Sequence, residues 1–219
     1  MDDTSAQRER MVAEQIAARG IDDAAVLAAL RAVPREQFVG ARWQAQAYDD
    51  TPLPIEDGQT ISQPYIVALM LASLRLRPSD RVLEIGAGSG YASALASRIV
   101  AHVDAVERHP RLAELARERL ARLGHDNVAV HCADGSAGWP AGSHYDAVMV
   151  AASGPRVPEP LRRQLADGGR LVMPVESGHG VQRLLLVRRE GNAFVESDLG
   201  GVMFVPLVGE QGWPERGEP

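Results

Sequence analysis

The sequence predicts an α/β fold: a doubly wound, mostly parallel sheet of about seven strands, with an N-terminal helical cap and antiparallel C-terminal strands. Three observations predict it. From residue 81 onward, short apolar runs alternate with helical patterns, as in a parallel sheet covered on both faces. The first of these runs, Val82-Leu83-Glu84-Ile85, enters a glycine-rich turn, Gly86-Ala87-Gly88-Ser89-Gly90, at the edge where open sheets bind ligands. The last two runs, residues 181–188 and 193–207, follow one another with no helix between them, so they read as an antiparallel end to the sheet.

Taken in order, residues 5–19 carry a helical pattern, with Met11, Val12 and Ile16 on one face and Gly20 as the stop. Asp22 is placed to cap a second helix that runs through Ala32, ahead of Pro34. Residues 41–62 are dense in turn formers, and a long irregular segment inside a compact protein is commonly functional. Ser62, two residues before Pro64, suits the start of a helix carrying Ile66, Val67, Leu69, Met70, Leu71 and Leu74. Strands are expected at residues 81–85, 102–107, 127–131, 145–150 and 170–174, and helices at 91–100, 110–123 and 158–166. Residues 1–219 read as one domain, with a helical and irregular cap over 1–60 and a core over 61–213.

Of the 219 residues, 45% are hydrophobic and 24% charged, the balance of an ordinary globular protein. A net charge of −6 disfavours a nucleic-acid partner, because phosphate would be repelled. No apolar run reaches transmembrane length, the first 20 residues lack a signal-peptide pattern, and Cys132 is the single cysteine. These features lead to an expectation of a cytoplasmic protein that engages no membrane, and a monomer is expected.

The chemistry gathers along one edge. Glycines in the 86–90 turn let a ligand approach the backbone, and their G-x-G-x-G spacing differs from the G-x-G-x-x-G of dinucleotide folds. Glu107 ends the next strand, 17 residues after Gly90, where a carboxylate can accept from both hydroxyls of a ribose, with Arg108 beside it. Asp134-Gly135 follows the third strand and could meet an adenine edge, although such a pair is often only a turn. Three successive strands thus present a carboxylate or a glycine at the same place.

Here the chain resembles the class I, Rossmann-like S-adenosylmethionine methyltransferases and, within them, the protein-L-isoaspartate (D-aspartate) O-methyltransferase family. The resemblance is carried by residues 48–55 (Tyr-Asp-Asp-Thr-Pro-Leu-Pro-Ile), 58–65 (Gly-Gln-Thr-Ile-Ser-Gln-Pro-Tyr) and 204–209 (Phe-Val-Pro-Leu-Val-Gly), with Val33-Pro34-Arg35, Phe38-Val39 and Pro174-Val175 as shorter matches. It extends from about residue 8 to residue 213. It implies methyl transfer from S-adenosylmethionine, with S-adenosylhomocysteine as product, to the α-carboxylate of isoaspartyl residues in damaged proteins and peptides. The resulting ester then converts through a succinimide toward normal aspartate, which makes the reaction one of protein repair.

The same resemblance implies roles. Thr60, Ile61 and Ser62 face both cofactor and substrate, and Ser62 is the active-site serine. Glu84, Gly86, Gly88 and Ser89 hold the methionine end of the cofactor, Glu107 with Arg108 the ribose, and Asp134 with Gly135 the adenine. Val205, Pro206 and Leu207 join Ile61 and Ser62 in lining the peptide site. Ala133 departs from the glycine usual before the Asp-Gly pair, which bears on how the adenine sits.

Two other functions compete. A nicotinamide-dependent oxidoreductase would need the other glycine spacing and a catalytic Tyr/Lys or His set, neither of which is present. A binding protein without turnover would have less reason to keep Ser62 and the whole glycine turn. No metal is expected, because His102, His109, His125, His131, His144 and His179 lack ligand spacing. Cys132 reads as a small buried apolar residue. Arg117, Glu118, Arg119 and Arg122 read as a solvated helix face, and Asp49-Asp50 as loop-ordering acceptors rather than acid/base groups.

Overall fold

A computed structural model describes residues 3–140, 144–178 and 180–215. The cap opens with α1 (Asp3–Arg10), which passes into a π turn, Met11–Ile16, and a short 3-10 turn, Ala17–Arg19. The wider π turn brings Met11 and Ile16, five residues apart, onto one face, where both are fully buried with Val12. Gly20 ends this stretch with φ +94°. Helix α2 (Ala24–Ala32) is capped by Asp23, not Asp22. The Asp23 carboxylate accepts from the N–H groups of Ala25 and Val26 at 3.0 and 3.1 Å, the reach of an N-cap side chain.

The irregular stretch holds 3-10 turns at Arg35–Phe38 and Ala41–Gln46, then a two-stranded antiparallel ribbon, β1 (Leu53–Pro54) with β2 (Thr60–Ile61). Helix α3 (Pro64–Ser73) starts directly after it, with Gln63 at the N-cap and Pro64 in the first turn. Ser62 therefore is not the cap.

The main sheet is built from β3 (Arg81–Ile85), β4 (His102–Glu107), β5 (Val128–Cys132), β6 (Tyr145–Val150), β7 (Leu165–Glu176), β8 (Gln182–Glu190) and β9 (Ala193–Val202). Helices α4 (Tyr91–Ser97), α5 (Pro110–Arg122) and α6 (Glu159–Arg163) connect them, each shorter than its sequence pattern. Conversely, β7 extends well beyond the expected residues 170–174. The order is β5-β4-β3-β6-β7-β8-β9, parallel through β7 and antiparallel for β8 and β9. The chain winds outward from β3 to β5 and returns to β6 on the other side of β3. That reversal opens a crevice beyond the carboxyl ends of β3 and β6, where ligands bind in such sheets.

One face of the sheet (Val82, Val103, Ala105, Ala147, Met149) shares an apolar cluster with the cap residues Met11, Ile16, Leu30 and Phe38. The other face (Leu83, Val106, Val148, Leu171) packs on α6 through Leu161. Fully burying each such side chain contributes about 1.5–3 kcal/mol, so the cap is tied to the sheet by its core. Cys132 is exposed rather than buried, because it ends β5 at the sheet's edge. No helix among the described residues is long and apolar enough to cross a membrane. His179 lies outside the described residues.

Candidate active site

A cavity of about 330 Å³ opens at the carboxyl ends of β3 and β4 and beside Ala151, which follows β6. Its floor is the glycine turn. Gly86 and Ala87 donate to the Val106 carbonyl at 2.8 and 3.2 Å, and Gly86, Gly88 and Gly90 hold φ values of +86°, +53° and +89°. Those conformations strain any residue with a Cβ. The Glu107 carboxylate, only 4% exposed, accepts from Gly88 N–H and His109 N–H, both at 2.9 Å. Each of its oxygens keeps a lone pair for a further donor. Gly135 approaches so closely that a Cβ there would lie 2.7 Å from Ile85 Cγ2.

Glu84 lines the same cavity and is almost fully buried. Burial pushes its carboxyl up to about 8, against the opposing hydrogen bond from Ser93 Oγ and with a smaller push from the Glu107 charge. Ser89 and Arg108 also border the cavity, and Arg108 pairs with Glu215 at 2.6 Å. Asp134 does not border it. Its carboxylate accepts from Ser136 N–H and Glu210 N–H, each at 2.8 Å, and so pins the C-terminal loop whose Val208 does border the cavity. Of the expected adenine-side pair, only Gly135 reaches the cavity wall.

The β1–β2 ribbon folds over the turn, and a Cβ at Gly88 would sit 3.4 Å from Ile55 Cδ1. Arg119 fixes it from α5 through Glu56 at 2.8 Å with little exposure, so this arginine is not part of a solvated face.

A second cavity, about 540 Å³, adjoins the first. Thr60, Ser62, Ala151 and Val205 border both. Ser62 thus stands at the junction, and its hydroxyl makes no hydrogen bond within the described structure, neither capping α3 nor meeting another side chain. Asp50 holds the next residues in place, accepting from Gln63 Nε2 at 2.7 Å and Tyr65 N–H at 3.2 Å, while pairing with Arg19 at 2.6 Å. Loop ordering is what Asp50 does. Ile61, Pro206 and Leu207 face the first cavity, so of the three expected peptide-site residues near the C-terminus only Val205 reaches the second.

Sequence reasoning missed the residues that hold this junction. Gln182 clamps Phe204 as a strand would, its Oε1 accepting from Phe204 N–H at 2.7 Å and its Nε2 donating to Phe204 O at 3.1 Å. Ser153 continues the clamp through Val205 O and Leu207 N–H, both at 2.8 Å. Nothing in the local sequence marks Gln182, which looks like any polar residue at a strand start. Arg35 was visible only as part of a matching stretch, and it donates to Ser62 O at 2.9 Å.

A buried strand-end carboxylate, a glycine-rich turn and a glycine with no room for a Cβ suit a nucleoside carrying vicinal hydroxyls. Glu107 and the 86–90 turn would hold S-adenosylmethionine there. Fold and cavity together define the class: a Rossmann-like, S-adenosylmethionine-dependent methyltransferase. The profile of the family described as protein-L-isoaspartate(D-aspartate) O-methyltransferase matches residues 6–212. A protein-L-isoaspartate O-methyltransferase of Rhodopseudomonas palustris is 55% identical, covering 95% of this chain and 86% of its own. Another, of Pelobacter propionicus, is 56% identical over 94% of this chain and 92% of its own. A solved protein-L-isoaspartate O-methyltransferase superposes with TM-score 0.85 at 31% identity, covering 94% of this chain and 67% of the other. A Plasmodium falciparum chain described as such an enzyme, solved with S-adenosyl-L-homocysteine, gives 0.79 at 27% identity, covering 94% and 98%. The chain belongs to the protein-L-isoaspartate (D-aspartate) O-methyltransferase family.

Proposed function

We infer that this chain transfers the methyl group of S-adenosylmethionine to the α-carboxylate of L-isoaspartyl residues in damaged proteins and peptides, with Ser62 orienting the acceptor. The observation that carries this reading is the pair of adjoining cavities with Ser62 on their shared wall. When bound, the cofactor supplies a methyl already activated on a sulfonium. The acceptor carboxylate is ionised at neutral pH, since unperturbed carboxyl pKa values lie near 4, so the chain need supply no strong base. What its residues do is place and dry the carboxylate. The Ser62 hydroxyl donates to one carboxylate oxygen, while Ile61 and Leu207 keep the junction apolar and short of water.

Val205, held by Ser153 on one side, presents an extended segment to the second cavity, against which a substrate main chain lies. An isoaspartyl residue carries an extra main-chain methylene and a carboxylate directly on Cα. A groove that grips the main chain therefore tells it from aspartate without any difference in charge. Thr60, Ile61, Glu84, Gly86, Gly88, Ser89, Glu107, Arg108 and Gly135 form the cofactor side. Asp134 serves that side by holding the 209–210 turn. The cap over 1–60 and the core over 61–213 act as one unit. The single cysteine suits a reducing cytoplasm, a charge of −6 disfavours a nucleic-acid partner, and the chain is taken to act as a monomer away from the membrane.

The test is a paired comparison of kcat/KM on an isoaspartyl peptide and the same peptide with normal aspartate. A carboxylate displaced by about 1 Å loses on the order of 100-fold in rate, and at least that ratio is expected. Equal values on the two isomers would remove the repair reading.

A further inference from the structure

Arg35 is the largest side chain that the fold buries completely, with 0% exposure. It stands in the cap, in the 3-10 turn Arg35–Phe38, far in sequence from every residue of the cavities. Its Nε donates to Ala47 O at 2.8 Å and its Nη2 to Ser62 O at 2.9 Å. Its Nη1 has no partner, and no carboxylate pairs with the guanidinium among the described residues. The guanidinium lies 4.9 Å from the centre of the Tyr91 ring, whose buried hydroxyl also lacks a partner. Tyr91 in turn lines the first cavity.

Burying a guanidinium with no ion pair is expensive, and two carbonyls, the Tyr91 side chain and the more distant Asp50 charge offset only part of the cost. A neutral group could tie Ala47 to Ser62 more cheaply. What only a cation adds is positive potential behind Ser62. That potential is useful here, because Glu107 lines the same cavity while the acceptor itself is an anion. In a buried site such a charge is little screened.

We propose that Arg35 is a positioning residue for methyl transfer: its fork fixes the Ser62 main chain, and its charge holds the acceptor carboxylate at the cavity junction. This rests on the methyl-transfer reading above. Arg35 touches neither reacting group; it acts through Ser62.

The experiment compares wild type, Arg35→Lys, Arg35→Met, Ser62→Ala and the double variant Arg35→Lys/Ser62→Ala. Each is measured for thermal melting, S-adenosylhomocysteine affinity and steady-state kinetics on one isoaspartyl peptide. Arg35→Lys loses the fork and, assayed at a pH low enough to keep the buried ammonium protonated, keeps the charge, so kcat should fall about tenfold with peptide KM within about threefold of wild type at that pH. Arg35→Met loses both, so KM should rise about tenfold in addition, with S-adenosylhomocysteine affinity within about threefold of wild type. Because Arg35 works through Ser62, Arg35→Lys should cost less than threefold further in the Ser62→Ala background. Unchanged kinetics in a cofactor-binding Arg35→Met protein would overturn the proposal, as would additive losses in the double variant. Loss of cooperative melting in both single Arg35 variants would assign the residue to the fold alone and overturn it too. A wild-type protein that methylates no isoaspartyl peptide would instead sink the function reading, a distinct outcome.

Discussion

The two halves of the site are built in opposite ways. The cofactor half is local: β3, its glycine turn and the end of β4 form it with main-chain bonds, and Glu107 closes it by accepting from Gly88 N–H. The acceptor half is assembled at a distance. Thr60–Ser62 is held by Arg35 from the cap and steadied by Asp50 through its neighbours, and Val205 by Ser153 and the Gln182 clamp on Phe204. A half that sits on sheet ends inherits the rigidity of the sheet. A half made of loops is only as precise as the side chains that grip it, so changes there should act on turnover, and changes in the cofactor half on affinity.

The largest effect that would test this contrast is Ser62→Ala. The hydroxyl has no structural bond to lose, so melting should stay within experimental spread while turnover falls about 100-fold, the scale for loss of near-attack geometry. A stability loss near 1 kcal/mol with unchanged turnover would return Ser62 to a helix-start role. In the other half, Glu107→Ala should weaken S-adenosylhomocysteine binding by roughly 1–3 kcal/mol, about 5- to 150-fold, and leave kcat at saturating cofactor much closer to wild type. Calorimetry and rates on one preparation separate the two. A kcat loss larger than the affinity loss would break the division between the halves.

The same contrast explains what could be read from the sequence. The 86–90 turn and Glu107 are contiguous signals, because a strand, a turn and a strand end are fixed by residues within reach of one another. The strand order at the C-terminal edge was not legible, since β8 and β9 could lie on either side without changing the pattern of any strand. The structural partner of Asp134 was not legible for a related reason: its carboxylate accepts from Glu210 N–H, 76 positions away. Arg119 sits on a helix whose sequence reads as solvated, and only the fold of residues 56–58 back onto α5 makes it a buried anchor. Cys132 depended on β5 lying at the edge.

The smallest predicted effect tests the electrostatics of the cofactor half. Glu84 is raised to about 8 because burial penalises its charged form, with Glu107 adding to the penalty. In the unfolded chain the same carboxyl titrates near 4.3. Its contribution to stability is therefore complete below about pH 4 and is lost as pH rises toward 8, because above pH 4 the folded state binds the proton and the unfolded state does not. A cationic ammonium placed beside Glu84 reverses the preference and drives the proton off. Cofactor affinity should then rise with pH, roughly tenfold between pH 7 and 8.5, and level off once the free protein has ionised. Titration with S-adenosylhomocysteine in buffers of different ionisation enthalpy should register release of close to one proton at pH 7. Glu84→Gln should flatten both the affinity profile and the proton release. His109, also on the cavity wall, is left intact in that variant, so any pH dependence that persists belongs elsewhere than Glu84. A wild-type affinity that does not change between pH 7 and 8.5 would place the cofactor's ammonium away from Glu84 and leave the glycine turn as the sole support of that end.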